Sequence, residues 1–292
     1  MKTNAYEIVA QTIIKQLEQG TAPWRKEWIS NGYTPMSLSS KKKYNGVNHW
    51  LLSFSAMGNN YESPWWGTFK QIVEMGGNVR KGEKGTPVVL WREVDSTVET
   101  EAGELTSRKA VIMRYFTVFN AEQAEWEEGA PEYEKPTARD HANVIVEANR
   151  VVENYINGDN GPTLQSGGDR AFYSPSKDLI QLPEQATFYS DEAFYSTVFH
   201  EMGHSTGHKN RLNRDGVVEN HYFGSALYSE EELVAEFTSA FLSHETGIAP
   251  ATLDNSASYI SSWLKVLKGD PKMLVKAVGR AQKATNYILG KE

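Results

Sequence analysis

The chain has 292 residues, 39% hydrophobic and 23% charged, which is ordinary for a globular protein of one large domain or two of usual size. It has no cysteine, which excludes disulfides, thiolate metal sites and cysteine nucleophiles, so any transition-metal site must be built from His, Asp and Glu. The net charge of −7 is unevenly spread: Met1 to Arg92 carries twelve lysines and arginines against six glutamates, a net +6 that leaves −13 for the remainder. Such polarity suggests a polyanion-binding part joined to something different.

Tyr6, Ala10, Ile13 and Leu17 mark a first helical stripe closed by Gly20. Glu7, Lys15 and Glu18 interrupt any signal-peptide core, and no stretch is long and apolar enough to span a bilayer. A cytoplasmic protein is expected. Turn-rich, aromatic-rich sequence follows, then a helix over Ser63 to Gly76, a strand over Val88 to Trp91 and a second strand over Ala110 to Phe119. Asp95 to Thr106 reads as an exposed acidic loop between the strands. Ala121 to Asp140, with six glutamates and two prolines, reads as a linker.

The first half interleaves cations with rings: Trp24-Arg25-Lys26, Tyr33, Lys41-Lys42-Lys43-Tyr44, Trp50, Trp65-Trp66, Phe69-Lys70 and Arg80-Lys81, with Lys84 beyond. That combination suits single-stranded nucleic acid, where cations track phosphates and rings stack on bases. Aromatic residues are also the commonest core fillers, and about half of these rings are expected to be buried for that reason.

The second half opens with a helix over His141 to Ile156. Arg170 to Tyr173 and Leu179 to Leu182 flank a turn and read as a hairpin, able to offer an edge strand to an extended peptide. Two helices follow, over Asp191 to His208 and Ser229 to His244. The tail from Ala257 to Leu289 is helical and broken at Gly269-Asp270-Pro271.

The first of these two helices carries His200-Glu201-Met202-Gly203-His204, an HExxH string. Residues four apart share a helix face, so His200 and His204 can offer two imidazoles to one ion, with Glu201 beside them as general base toward a metal-bound water. Zn2+ suits such a set because it takes nitrogen and oxygen ligands tetrahedrally and leaves a position for water; manganese or nickel can occupy similar donors. Asn210 stands where a third histidine six residues on would sit, which excludes that pattern. His208 is a weaker candidate, because Gly207 intervenes.

The third ligand is sought on the next helix. Glu232 as ligand with Glu236 orienting a ligating histidine is the favoured assignment. The alternative uses Glu232 in a Ser229–Glu232 capping box and Glu236 as ligand. Tyr228 and Tyr222 precede that helix and are candidate donors to an oxyanion.

Beyond these local patterns, several segments together resemble the ArdC family of plasmid-borne antirestriction proteins over nearly the whole chain. The N-terminal segments are Ala22-Pro23-Trp24, Tyr44-Asn45-Gly46-Val47-Asn48, Ser63 to Phe69 and Gly76 to Gly85; the C-terminal ones are His200 to His208, Glu231 to Phe237 and Tyr259 to Leu264. Similar N-terminal domains occur in plasmid primases. The resemblance implies an α+β chain of two domains. These are a single-stranded DNA-binding domain over 1–122 and, after an acidic linker over 123–138, a mainly helical gluzincin-like metallopeptidase domain over 139–292 with a small antiparallel sheet. It implies zinc at His200, His204 and a glutamate of the second helix, and protection of incoming DNA from host restriction during conjugation, with a host restriction factor as one conceivable protein substrate. The contrasting expectation is a non-enzymatic protein that coats single strands and uses zinc only to brace its core.

Overall fold

The computed structural model describes residues 34–99, 105–133, 141–188, 190–218, 226–248, 263–265 and 267–291, with Ala10, Gln11, Ile13, Ile14 and Glu18. Two compact units emerge, one from Met1–Val9 and Thr34–Tyr133, the other from Ala10–Tyr33 and Glu134–Glu292. Among the described residues, no helix is long and apolar enough to cross a membrane.

The first unit is α+β. Strands β1 (Met36–Ser37), β2 (Trp65–Thr68), β4 (Thr86–Glu99) and β5 (Leu105–Asn120) form one sheet in the order β1-β2-β5-β4, and β3 (Gly77–Val79) pairs antiparallel with β6 (Ala124–Trp126). Helix α1 (Gly46–Asn59) is tied to the sheet by Asn48, whose amide donates to Val89 O at 2.6 Å and accepts from Val89 N at 2.7 Å. The short α2 (Phe69–Glu74) begins at a capping box in which Thr68 and Gln71 satisfy each other's backbone N–H groups. Leu52, Trp66, Val88 and Val118 form one core cluster; Leu38, Ile72 and Ala124 form another.

Four sequence expectations change here. The helix over Ser63 to Gly76 is strand β2 up to Thr68 and helix only afterwards, because Thr68 caps a new helix. Helix α1, read as turn-rich sequence, was hidden by its glycines and aromatic residues. The acidic loop from Asp95 is mostly ladder, with Glu99 still opposite Leu105, since Thr97 and Val98 are good strand formers. The linker over 123–138 loses its first part: Trp126 donates its indole N–H to Ala121 O at 2.9 Å and anchors β6, so the first unit runs to Tyr133. Residues 134–140 lie outside the described residues.

The second unit is mainly helical. Helix α3 (His141–Ile156) has the expected bounds. Strands β7 (Thr163–Ser166), β8 (Phe172–Ser174) and β9 (Leu179–Leu182) make a sheet in the order β7-β9-β8. The β8–β9 hairpin is as read from sequence, but β7 pairs parallel with β9, so the sheet is mixed rather than antiparallel throughout. Helices α4 (Asp191–Ser205), α5 (Asp215–Val218), α6 (Ala226–Thr246) and α7 (Pro271–Ile288) lie among its described residues. Asp270 caps α7 and Pro271 opens it, as the Gly-Asp-Pro break requires. Val152, Tyr155, Ile180, Leu182, Val198, Phe199 and Met202 share one core that joins α3, the sheet and α4.

Candidate metal centre

Helix α4 is fixed at both ends. Ser190 accepts from Ala193 N at its start, where Asp191 and Glu192 complement the helix dipole. Val198, Phe199 and Met202 are buried on one side, which leaves His200 and His204 on the neighbouring face. Their Nε2 atoms lie 3.1 Å apart.

Helix α6 supplies the carboxylates. It crosses α4 closely at Gly203, where an added Cβ would lie 3.0 Å from Ala235 Cα and 3.2 Å from Thr238 Cβ. One turn before that crossing, Glu232 faces the histidines: its carboxylate is 3.8 Å from His200 Nε2 and 3.6 Å from His204 Nε2. The three ligand atoms fall within 4.8 Å of one another. Tetrahedral ligands about 2.0–2.2 Å from one ion are separated by roughly 3.3–3.6 Å, so His200, His204 and Glu232 can hold a divalent metal with little rearrangement.

The neighbouring carboxylate, Glu231, is buried and accepts from His204 Nδ1 at 3.3 Å. A carboxylate only accepts, so Nδ1 carries a hydrogen, and Nε2 is the nitrogen left to bind a metal once it has shed its own proton. Two ring nitrogens 3.1 Å apart share a hydrogen in the metal-free site, the place a cation would take. Burial pulls the proton affinity of His204 down, but the hydrogen bond to Glu231 and the charges of Glu232, Glu231 and Glu201 outweigh it and push its pKa up to about 9. The same negative field favours a divalent ion. Glu201 is buried on α4 beside these groups.

Glu231 thus accepts from His204; Glu236, expected as the carboxylate that orients a ligating histidine, lies one turn further along α6 and is not one of the three converging groups. The sequence weighed Glu232 against Glu236 and passed over Glu231. The signal was the run Glu230-Glu231-Glu232, whose members take separate partners: Arg280 for Glu230 at 2.6 Å, and Arg214 with His204 for Glu231. Helix α6 starts at Ala226, so Ser229 lies inside it and no capping box occupies Glu232. His208 sits beyond the end of α4, with Nδ1 3.9 Å from Asp178 and outside the converging set. Tyr228 belongs to α6, but its side chain is outside the described residues, as is all of Tyr222.

The nucleic-acid candidates of the first unit divide sharply. Trp24, Arg25 and Lys26 lie outside the described residues. Trp66 is 1% exposed and edge-on to Tyr61 in the core, so it has no face for a base. Tyr44 packs partly buried against the same cluster. Arg80 is committed to Glu83 at 2.8 Å and to Glu122 O at 2.6 Å. Trp65 is half-buried beneath Lys41, whose Nζ stands 4.4 Å from the ring centroid. Lys42, Lys43, Lys70, Lys81 and Lys84 are exposed. Phe69 is 53% exposed and edge-on to Phe119.

Residues 151–280 match the family described as zincin-like metallopeptidase, and residues 3–119 match the N-terminal domain of anti-restriction factor ArdC. Two Escherichia coli proteins named DNA primase TraC are 37% and 35% identical over 304 and 314 residues, covering 98% and 100% of this chain. The chain spans only 20% and 28% of their length. An uncharacterized protein, y4eC of Sinorhizobium fredii, is 33% identical over 295 residues, covering 98% of this chain and 92% of that one. Two crystal structures of the antirestriction ArdC protein from plasmid R388 superpose well. The metal-free one gives a TM-score of 0.73 at 33% identity and covers 98% of each chain. The Mn(II)-bound one gives 0.72 at 34% identity and covers 99% of this chain and 98% of that one.

Proposed function

Because this chain belongs to the ArdC-type antirestriction family, we propose that it protects incoming DNA from host restriction during conjugation, acting in the cytoplasm through two activities. The first unit binds single-stranded DNA, and the second is a zinc-dependent peptidase. The observation that carries the peptidase reading is the convergence of His200, His204 and Glu232, with Glu201 alongside.

A bound zinc ion would activate a water molecule and polarise a carbonyl. His200 and His204 would offer imidazole nitrogens to the ion, and Glu232 would neutralise one of its charges. Glu201 accepts the proton of the attacking water and passes it to the departing amine nitrogen. Low exposure of Glu201 keeps its carboxylate out of bulk water beside the proposed ligands. His200 and Glu232 retain 22% and 28% of their side-chain exposure. That openness favours a site that admits substrate over a closed structural one, which would bury all its ligands.

For the DNA half, exposed Phe69 and half-exposed Trp65 supply stacking faces, with Lys41, Lys42, Lys43, Lys70, Lys81 and Lys84 for phosphates. A protein near the entering strand, such as a restriction factor, is the proposed substrate. The direct check is zinc stoichiometry of the full chain and of Glu232→Ala by chelator competition. One ion per wild-type chain, held far more weakly by the variant, supports the site; equal binding by both refutes it.

A further inference from the structure

Arg214 takes no part in the chemistry above, yet its side chain is only 5% exposed and every acceptor around it lies near the metal centre. Its Nε donates to Glu231 Oε2 at 2.8 Å, and Nη2 donates to Glu231 Oε1 at 2.5 Å and to Gly203 O at 2.8 Å. Its Nη1 donates to Thr206 Oγ1 at 2.7 Å, and that hydroxyl donates in turn to Gly203 O at 2.7 Å. The guanidinium therefore grips both oxygens of one carboxylate and the last turn of α4 at once. It reaches this place because the chain folds straight back after α4. Gly207 N donates to His204 O and Arg214 N to Gly207 O, while an added Cβ at Gly207 would meet Val217 Cγ2 at 2.4 Å.

The oxygen held by Nη2 is also the one that accepts from His204 Nδ1. Arg214, Glu231 and His204 thus form a single line of hydrogen bonds ending at a proposed ligand atom. Glu231 is 5% exposed, and a buried carboxylate stripped of its cation carries a heavy desolvation cost. Without Arg214 the Glu231 side chain loses the fork that holds both of its oxygens in place and is free to swing toward solvent, which deprives His204 of its acceptor. A lysine restores the charge but not the fork, because one ammonium cannot span two oxygens and a carbonyl in fixed directions.

We propose that Arg214 is a positioning residue of the metal centre: by clamping Glu231 and the end of α4 it fixes the His204 ring and presents Nε2 to the metal. The proposal rests on the reading of His200, His204 and Glu232 as ligands.

The test is zinc affinity of the full chain, measured by chelator competition at one pH, for wild type, Arg214→Lys, Arg214→Gln, Glu231→Gln and the Arg214→Gln/Glu231→Gln pair, with circular dichroism to establish folding. Each single variant is expected to bind zinc about 10- to 100-fold more weakly, the usual cost of losing an orienting partner. The pair is expected to be no weaker than Glu231→Gln alone, because Arg214 acts through that carboxylate. A purely structural arginine would lower thermal stability and leave the affinity of the folded protein unchanged. Zinc affinity within twofold of wild type in folded Arg214→Lys or Glu231→Gln overturns the proposal. Should Arg214→Gln not fold, those two variants decide it. A wild type that binds no zinc removes the ligand assignment itself, a result distinct from one in which wild type and Arg214 variants bind alike.

Discussion

Gly203 and Ala235 bring α4 and α6 so close that a Cβ on Gly203 would stand 3.0 Å from Ala235 Cα. This approach sets how far Glu232 stands from the two histidines. Gly203 also contributes its carbonyl to Arg214, so one small residue serves packing and the metal centre together. Gly203→Ala forces the helices apart by a few tenths of an ångström, and overpacking of this kind costs roughly 1–3 kcal/mol. Urea denaturation of the variant should show that loss, together with weaker metal binding; unchanged stability and metal affinity would mean that the helices separate freely.

Metal binding should tighten as pH rises. In the metal-free site His204 holds its proton up to about 9, through Glu231 and the surrounding carboxylates acting against burial. A ligand must shed its proton to bind, so apparent affinity climbs with pH and levels off near that value. The same raised value makes a signed statement about the metal-free protein. The stability contributed by protonated His204 is fully present below the unfolded pKa of about 6.5 and is lost as pH rises to about 9. Isothermal titration across pH 6 to 9, with unfolding curves of the chelated protein, tests both slopes.

Asp178 gives the opposite sign. Burial raises its carboxyl, but hydrogen bonds from Arg211 and Tyr173 outweigh burial and hold it below the usual carboxylate range. Its contribution is present above about pH 4, the unfolded value, and is lost as pH falls below it. The stability of wild type should therefore drop more steeply between pH 5 and 3 than that of Asp178→Asn, measured by thermal unfolding. Arg211 also donates to Ser205 O at 2.7 Å, so this acid-sensitive contact braces the end of the metal helix.

The aromatic residues of the first unit should separate by role. Trp66→Ala empties a core position and should cost about 3–5 kcal/mol. Phe69→Ala and Trp65→Ala should leave the fold intact and weaken single-stranded DNA binding, by about 1–3 kcal/mol for each ring that stacks on a base. Lys42→Ala and Lys43→Ala should flatten the salt dependence of that binding. Fluorescence anisotropy with a labelled oligonucleotide, at several salt concentrations, distinguishes these effects; full affinity in Phe69→Ala and Trp65→Ala would move the DNA site elsewhere.

How much of this was legible beforehand depended on whether the signal was local. His200, Glu201 and His204 lie within one helical turn, and the cap at Ser190 and the helix stop at Gly207 are local too, so spacing sufficed. Glu232 was recoverable because it shares a short motif. Glu231 and Arg214 were not, since nothing nearby in sequence distinguishes Glu231 from Glu230 and Glu232 on either side; only the packing of α6 on α4 selects it. In the first unit, adjacent Trp65 and Trp66 read alike, but strand alternation sends one into the core and leaves the other half-buried against Lys41. Strand β7 was missed because all four of its residues are exposed, which removes the alternation that marks a strand.

The most direct test of the account is cleavage of an unfolded protein substrate such as casein by the zinc-loaded full chain and by Glu201→Gln, each with and without single-stranded DNA. Glu201 is not one of the three proposed ligands and glutamine keeps its size, so the variant should keep its zinc and lose cleavage by about 100-fold or more, the usual worth of a general base. Cleavage lost with zinc retained is the predicted result. Equal cleavage by both proteins, or zinc bound stoichiometrically with no cleavage by wild type under either condition, would contradict it.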